Sequence, residues 1–147
     1  MEYPPLVKYD SPVKYRQHFE NIYCRKPIVT FDGIQVRFRK RDFNHCFFKS
    51  IASKDDTFDQ LRAERVDWIK TALEDHSSDL HVGWDKKKKR YDSRRRIAIV
   101  MNNYIVVIAI KKDWDADFLT AYLADTVPLK GQNFSTLELI KLGPKWK

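Results

Sequence analysis

The fold turns on Arg96-Ile-Ala-Ile-Val-Met101-Asn-Asn-Tyr104-Ile-Val-Val-Ile-Ala-Ile110. Two β-rich runs, Arg96–Met101 and Tyr104–Ile110, flank Asn102-Asn103, a dipeptide that tolerates the left-handed backbone of a tight hairpin turn. The spacing predicts an antiparallel hairpin on a two-residue turn. Alternation then sorts the side chains: Ile97, Ile99 and Met101 share one face, and Arg94, Arg96 and Ala98 the other. Tyr104–Ile110 is the longest apolar run, and it is strand-sized rather than membrane-sized.

Working outward, Asp117–Ala124 alternates as a further strand. Leu119, Ala121 and Leu123 share one of its faces, and Phe118, Thr120 and Tyr122 the other. Leu80–Trp84 reads as a short strand and Asp85–Arg95 as a solvated loop or ribbon. Upstream, Thr57-Phe-Asp-Gln60 matches a capping box that opens a helix to about Glu74, with Leu61, Trp68, Ile69, Ala72 and Leu73 inward. Asp42 caps a helix to about Ala52, whose buried stripe is Phe43, Phe47 and Ile51. Ile28–Phe31 and Ile34–Phe38 flank an Asp32-Gly33 turn as a compact hairpin, preceded by a short helix around Lys14–Tyr23. Phe134–Leu142 closes the chain as a helix or strand. The order predicts an α+β fold in which N-terminal helices precede a four-stranded antiparallel meander sheet. It divides into an N-terminal arm with a hairpin over 1–40, a core over 41–125 and a closing segment over 126–147, in one globular domain.

Composition narrows the chemistry. The 147 residues carry 28 Lys+Arg against 20 Asp+Glu, a net charge of +8, which favours polyanionic partners. Cys24 and Cys46 are too isolated for a disulfide framework or a zinc site. The N-terminal Met-Glu-Tyr-Pro-Pro is no secretory signal, so the expectation is a cytoplasmic protein with no membrane partner. Asp113, Asp115 and Asp117 have calcium-loop spacing, but Phe118 stands where that loop needs Gly and no Glu closes it. His76 and His81 lack the local partners of a metal site. There is no Walker loop, no GxGxxG, no GxSxG and no carboxylate cluster of the metal-nuclease kind. No cofactor is expected, and phosphodiester chemistry here is expected to be metal-free.

Three groups of residues are candidates for function. Lys86, Lys87, Lys88, Lys89, Arg90, Arg94, Arg95 and Arg96 place eight cations in eleven positions, enough to dominate affinity for RNA or DNA by counterion release. Trp84 and Tyr91 bracket the run and suit stacking on unpaired bases. A localisation signal, a membrane-surface patch or a plain solvated loop are the alternatives. Arg96, Thr120 and Tyr122 are expected together on an open sheet face, a phosphate site unless that face is simply half-solvated. His45 and Lys49, four apart on the expected helix, pair a proton carrier with a phosphate-holding cation. Such a pair is also common on ordinary helix surfaces.

Several of these stretches carry a resemblance. They are Phe43-Asn-His45-Cys-Phe-Phe-Lys49, Arg62-Ala-Glu-Arg65-Val-Asp-Trp68-Ile, Gly83-Trp84 through Tyr91, Arg95-Arg96-Ile-Ala-Ile-Val, Asn103-Tyr104-Ile-Val-Val-Ile and Phe118-Leu-Thr120-Ala-Tyr122. Across roughly residues 40–125 the chain resembles the phage- and prophage-borne branch of the Barnase–EndoU–colicin–RelE nuclease superfamily. The resemblance implies a toxin-like or phage-associated, metal-independent endoribonuclease. In that chemistry the ribose 2′-hydroxyl attacks the adjacent phosphate, which requires a base, an acid and cations for the crowded phosphate. His45 is then the acid or base, and Arg96 with Lys49 or a lysine of the 86–89 run steadies the phosphate. Thr120 and Tyr122 position the substrate, Tyr122 being a second possible proton carrier. Arg65 is either a site cation or a structural partner of a carboxylate. The implied partners are RNA (tRNA, mRNA or ribosome-bound) and an acidic antitoxin or immunity protein. The rival readings are a non-catalytic nucleic-acid-binding module and an interaction domain docking an acidic partner.

Overall fold

A computed structural model describes residues 2–147. The first half holds α1 (Pro12–Tyr23), β1 (Ile28–Val29), β2 (Gln35–Arg37), α2 (Asp42–Phe47), β3 (Phe48–Lys49), β4 (Thr57–Phe58), α3 (Gln60–Ala63) and α4 (Trp68–Glu74). The second holds β5 (Asp79–Asp85), β6 (Arg90–Val100), β7 (Tyr104–Lys112), β8 (Asp115–Leu123) and α5 (Thr136–Leu142). No helix is long and apolar enough to cross a membrane, among the described residues.

The β6–β7 hairpin forms, but around three residues rather than two. Val100 pairs with Tyr104, and Met101 and Asn102 take positive φ of 49° and 71°. Both faces of this hairpin are buried, which is why its apolar run is continuous rather than alternating. One face carries Val100, Tyr104, Val106 and Ile108 against Tyr15, Phe19 and Tyr23 of α1, Phe43 and Phe47 of α2 and Ile69 and Leu73 of α4. The other carries Ile97, Ile99, Ile105 and Val107 against Leu137 and Ile140 of α5. The Ile97/Ile99 face therefore packs on the C-terminal helix and not on the earlier ones. α5 itself starts at a full capping box, in which Ser135 Oγ accepts from Glu138 N and the Glu138 carboxylate from Ser135 N.

The sheet is not a four-stranded antiparallel meander. It has six strands in the order β1-β2-β8-β7-β6-β5, and β2 runs parallel to β8, with Val36 opposite Ala116. The β1–β2 hairpin turns where expected, at Gly33 with φ 91°, and then joins the main sheet. A pairing across some eighty residues leaves no local mark on either strand, so periodicity does not reveal it. β3 and β4 form a separate two-stranded sheet.

Two expected helices are cut short by side-chain competition for backbone amides. α2 ends at Phe47, because the Asp56 carboxylate accepts hydrogen bonds from the amides of Ile51, Ala52 and Ser53 and turns that segment into a loop. Ile51 is consequently exposed, not part of a stripe, and Lys49 lies on β3 instead of one helical turn after His45. Asp59, not Thr57, caps α3 by accepting from Arg62 N, and Leu61 points to solvent. Three-residue turns at Arg65, Val66 and Trp68 then separate α3 from α4, so the expected single helix to Glu74 is two.

Candidate functional site

β2 covers β8 only from Asp115 to Asp117, which leaves the far half of that strand without a second strand partner. α2 and α3 cover the gap. Cys46 Sγ of α2 donates to the Ala121 carbonyl at 3.3 Å, pinning the helix to the strand edge. Arg62 of α3 donates from Nη1 to the Cys46 carbonyl at 3.3 Å, and its guanidinium lies 5.6 Å from the centre of the Tyr122 ring. Asp59 steadies the same guanidinium from 3.4 Å.

The electrostatics of this edge sort its chemistry. Burial pushes the Cys46 thiol up to about 12, with the Ala121 backbone, Arg62 and Thr120 pulling weakly the other way. Cys46 is thus an anchor and not a thiolate nucleophile. Burial also raises the Tyr122 phenol, against the nearby Arg62 charge, so it stays protonated and able to donate. Thr120 meets the Cys46 thiol. His45, exposed on the outer side of α2, is the next residue in the chain to Cys46. Lys49, also exposed, follows on β3. The edge of β8 therefore carries an arginine, a hydroxyl and a phenol, while the exposed His45 and Lys49 lie on the neighbouring α2 and β3.

Arg96 is not among them. Its cross-strand partner is Ile108, on the face packed against α1, α2 and α4, whereas Thr120 and Tyr122 pair with Val107 and Ile105 on the α5 face. The expected Arg96/Thr120/Tyr122 face does not exist, because both sheet faces are covered and the two strands meet in the opposite phase. Arg96 is 2% exposed and donates to both Asp32 oxygens, at 2.6 and 3.3 Å. Phe31 and Trp146 lie over its guanidinium at 5.6 and 5.8 Å. Nearly sealed from solvent, bonded twice to Asp32 and faced by two rings, it is a structural arginine. Arg65 is half-buried, donates to the Leu61 carbonyl at 2.8 Å and lies 5.2 Å from the Trp68 ring centre, so its partners are a carbonyl and a ring and not the carboxylate expected of a structural role.

The basic run is a ribbon. β5 and β6 continue past the rest of the sheet to a turn at Lys86–Lys89, where Asp85 accepts from the amides of Lys87 and Lys88. Lys86, Lys87, Lys88, Lys89, Arg90 and Arg94 are exposed, and Arg95 is half-exposed 3.8 Å from Asp85. Trp84 and Tyr91 sit opposite each other with ring centres 5.1 Å apart, edge to face, and both exposed. Tyr122 shares a sheet row with Ile105 and Ile99, and the turn lies eleven residues beyond Ile99. At ~3.3 Å per residue the ribbon tip stands about 35 Å along the strands from the β8 edge.

Arg62 is the residue that pattern reading passed over. Its signal was available: it stands three positions after the capping Asp59, in a turn that brings it back to α2. No protein-family model, no curated protein and no solved structure matched this chain.

Proposed function

We propose that the chain is a metal-independent endoribonuclease, toxin-like or phage-associated, of the Barnase–EndoU–colicin–RelE type, acting at the edge of β8. The supporting observation is Arg62, a partly exposed cation held between the Cys46 carbonyl and the Tyr122 ring, on the strand edge that α2, the helix carrying the exposed His45, covers. In the reaction the 2′-oxygen forms a bond to phosphorus while the bond from phosphorus to the 5′-oxygen breaks. One group takes the 2′-hydroxyl proton and another protonates the departing oxygen, leaving a cyclic phosphate and a 5′-hydroxyl. His45 serves as one of these, and Tyr122, kept protonated by burial, as a donor to the phosphate or the leaving oxygen. Arg62 and Lys49 meet the charge that grows on the phosphate, and Thr120 positions the substrate. The ribbon docks the substrate by phosphate contacts and base stacking at Trp84 and Tyr91. Its distance from the β8 edge suits a structured cytoplasmic RNA (tRNA, mRNA or ribosome-bound) better than a short oligonucleotide. An acidic antitoxin or immunity protein is the natural inhibitor of such a cationic edge.

The test is total RNA incubated with the purified chain and EDTA. Cleavage that survives the chelator and falls ~100- to 10,000-fold in His45→Ala is expected, the usual range for an acid–base group. RNA binding without cleavage would overturn the enzyme reading in favour of a binding module.

A further inference from the structure

We infer that a cavity at the opposite edge of the sheet from the ribbon is a phosphate-binding site for the same RNA; this rests on the ribonuclease reading above. The cavity measures about 310 Å³ and lies where α1 ends and β2 runs into α2. Arg25, Lys26, Arg37 and Arg39 wall it, over the buried rings of Tyr23 and Phe38. Pro27 holds this wall in place: it biases Lys26 to extended backbone, so the chain leaves α1 and turns at once into β1.

The charges here exceed their partners. Arg37 pairs with Asp115 at 3.3 Å, but Asp117 is shared between Arg39 at 3.2 Å and Lys111 at 2.7 Å. Arg25 donates only to Asn21, and Lys26 has no carboxylate partner among the described residues. Two further acids lie close by: Asp42 accepts from the Arg39 amide, and Glu20 lies 3.9 Å from Arg16. Four cations therefore line a hollow with a rigid aromatic base, and two of them, Arg25 and Lys26, have no carboxylate partner among the described residues. Such free charges suit an anion with several oxygens.

Its position identifies the anion as a backbone phosphate of the substrate. Arg37 shares a row with Asp117, five residues along β8 from Tyr122, so the cavity lies about 15 Å from the candidate site. The same row continues through Ala109 to Arg95, three strand steps away. From there the ribbon turn is seven residues further, which puts cavity and ribbon tip about 27 Å apart on a diagonal. An RNA that touches the ribbon, the β8 edge and the cavity must be extended over that whole span. The substrate class this selects is a long or folded RNA gripped at three points.

The experiment measures affinity for a forty-nucleotide structured RNA against salt, in a His45→Ala background that holds the substrate uncut. The Arg25→Ala/Lys26→Ala double variant should lower affinity and flatten the slope of log K against log salt by about 1.5, ~0.7–0.9 per lost phosphate contact. Arg37→Gln should flatten it independently. Lys130→Ala, in the loop after β8, is the control and should leave the slope alone. Thermal unfolding at the parent temperature confirms that the variants are folded. A slope unchanged in both cavity variants but flattened by Lys87→Ala/Lys88→Ala would overturn the cavity site and leave the ribonuclease reading standing. Absence of any RNA binding by the parent would sink both.

Discussion

Arg62 and Arg96 are built into the molecule from the same parts, and they do opposite things. Each lies near an aspartate, each faces an aromatic ring, and each is attached to an element beside the sheet. Arg96 is 2% exposed and gives two hydrogen bonds to Asp32 between Phe31 and Trp146. Arg62 has a side chain 30% exposed, a bond to the Cys46 carbonyl at 3.3 Å, a looser pair with Asp59 at 3.4 Å and one ring, Tyr122, on one side. A guanidinium sealed from water between two rings holds the fold together. One that still reaches water can receive a phosphate on its remaining donors. Charge type, proximity to a strand and the number of bonds shown do not separate them; exposure does.

The largest expected effect separates them on stability. Arg96→Ala leaves Asp32 without its cation and opens the space between Phe31 and Trp146. It should cost about 2–3 kcal/mol, below the usual figure for breaking a fully buried pair because Asp32 is itself exposed. For a chain of this size that is on the order of 10 °C in Tm, read by thermal melting. Arg62→Ala should cost about 1 kcal/mol, since its pair with Asp59 is long at 3.4 Å and its guanidinium is still reached by water. Equal losses from the two would erase the distinction.

The next effect runs the other way and concerns catalysis. Arg62→Ala should slow RNA cleavage by ~100-fold or more, the cost of removing one stabilising donor from a charged transition state. Arg96→Ala, assayed below its melting temperature and corrected for the folded fraction, should cleave at nearly the parent rate. Arg62→Lys should recover only part of the loss, because a point charge does not replace a planar fork. If Arg96→Ala silenced cleavage while folded, the assignment of the two arginines would be reversed.

How much of this was legible follows from which interactions are local. The β6–β7 hairpin, the strand at Asp79–Asp85 and the Asp32-Gly33 turn lie within a dozen residues of their own cause, and composition announces them. His45, Lys49, Thr120 and Tyr122 were visible as polar residues on otherwise apolar elements, and the Cys46–Ala121 contact docks α2, which carries His45, on the strand that carries Thr120 and Tyr122. Arg96 was misplaced because alternation gives a strand two faces but does not say which is dry. Here both are, since α5 covers the face that a simple meander would leave open. The early end of α2 was hidden for another reason. Asp56 reaches back from nine residues downstream to take the amides of Ile51, Ala52 and Ser53, and a helical period does not register such a competitor. The parallel β2–β8 pairing is the least legible feature, because each strand alone looks like an ordinary short hairpin partner.

The smallest expected effect is a pH dependence that tests what holds Arg96. Burial pushes the Asp32 carboxyl up, but hydrogen bonds from Arg96 and Thr30 together with the Arg96 charge outweigh it and hold the group below the usual range. A folded-state pKa below the unfolded one stabilises the fold above the unfolded value, ~3.9, and the benefit is lost as pH falls through the folded one. The pair should therefore contribute fully from neutral pH down to about 5 and fade below about 4. Acid weakens the parent for other reasons too, because Asp75, Asp117 and Glu64 are also held low by their partners. The informative quantity is thus the gap in Tm between the parent and Asp32→Asn. It should be widest near pH 7 and narrow toward pH 3, where the native carboxyl is itself losing its charge. A gap of constant width across that range would mean that Phe31 and Trp146 hold Arg96 without help from the Asp32 charge. The contrast with Arg62 would then rest on burial alone.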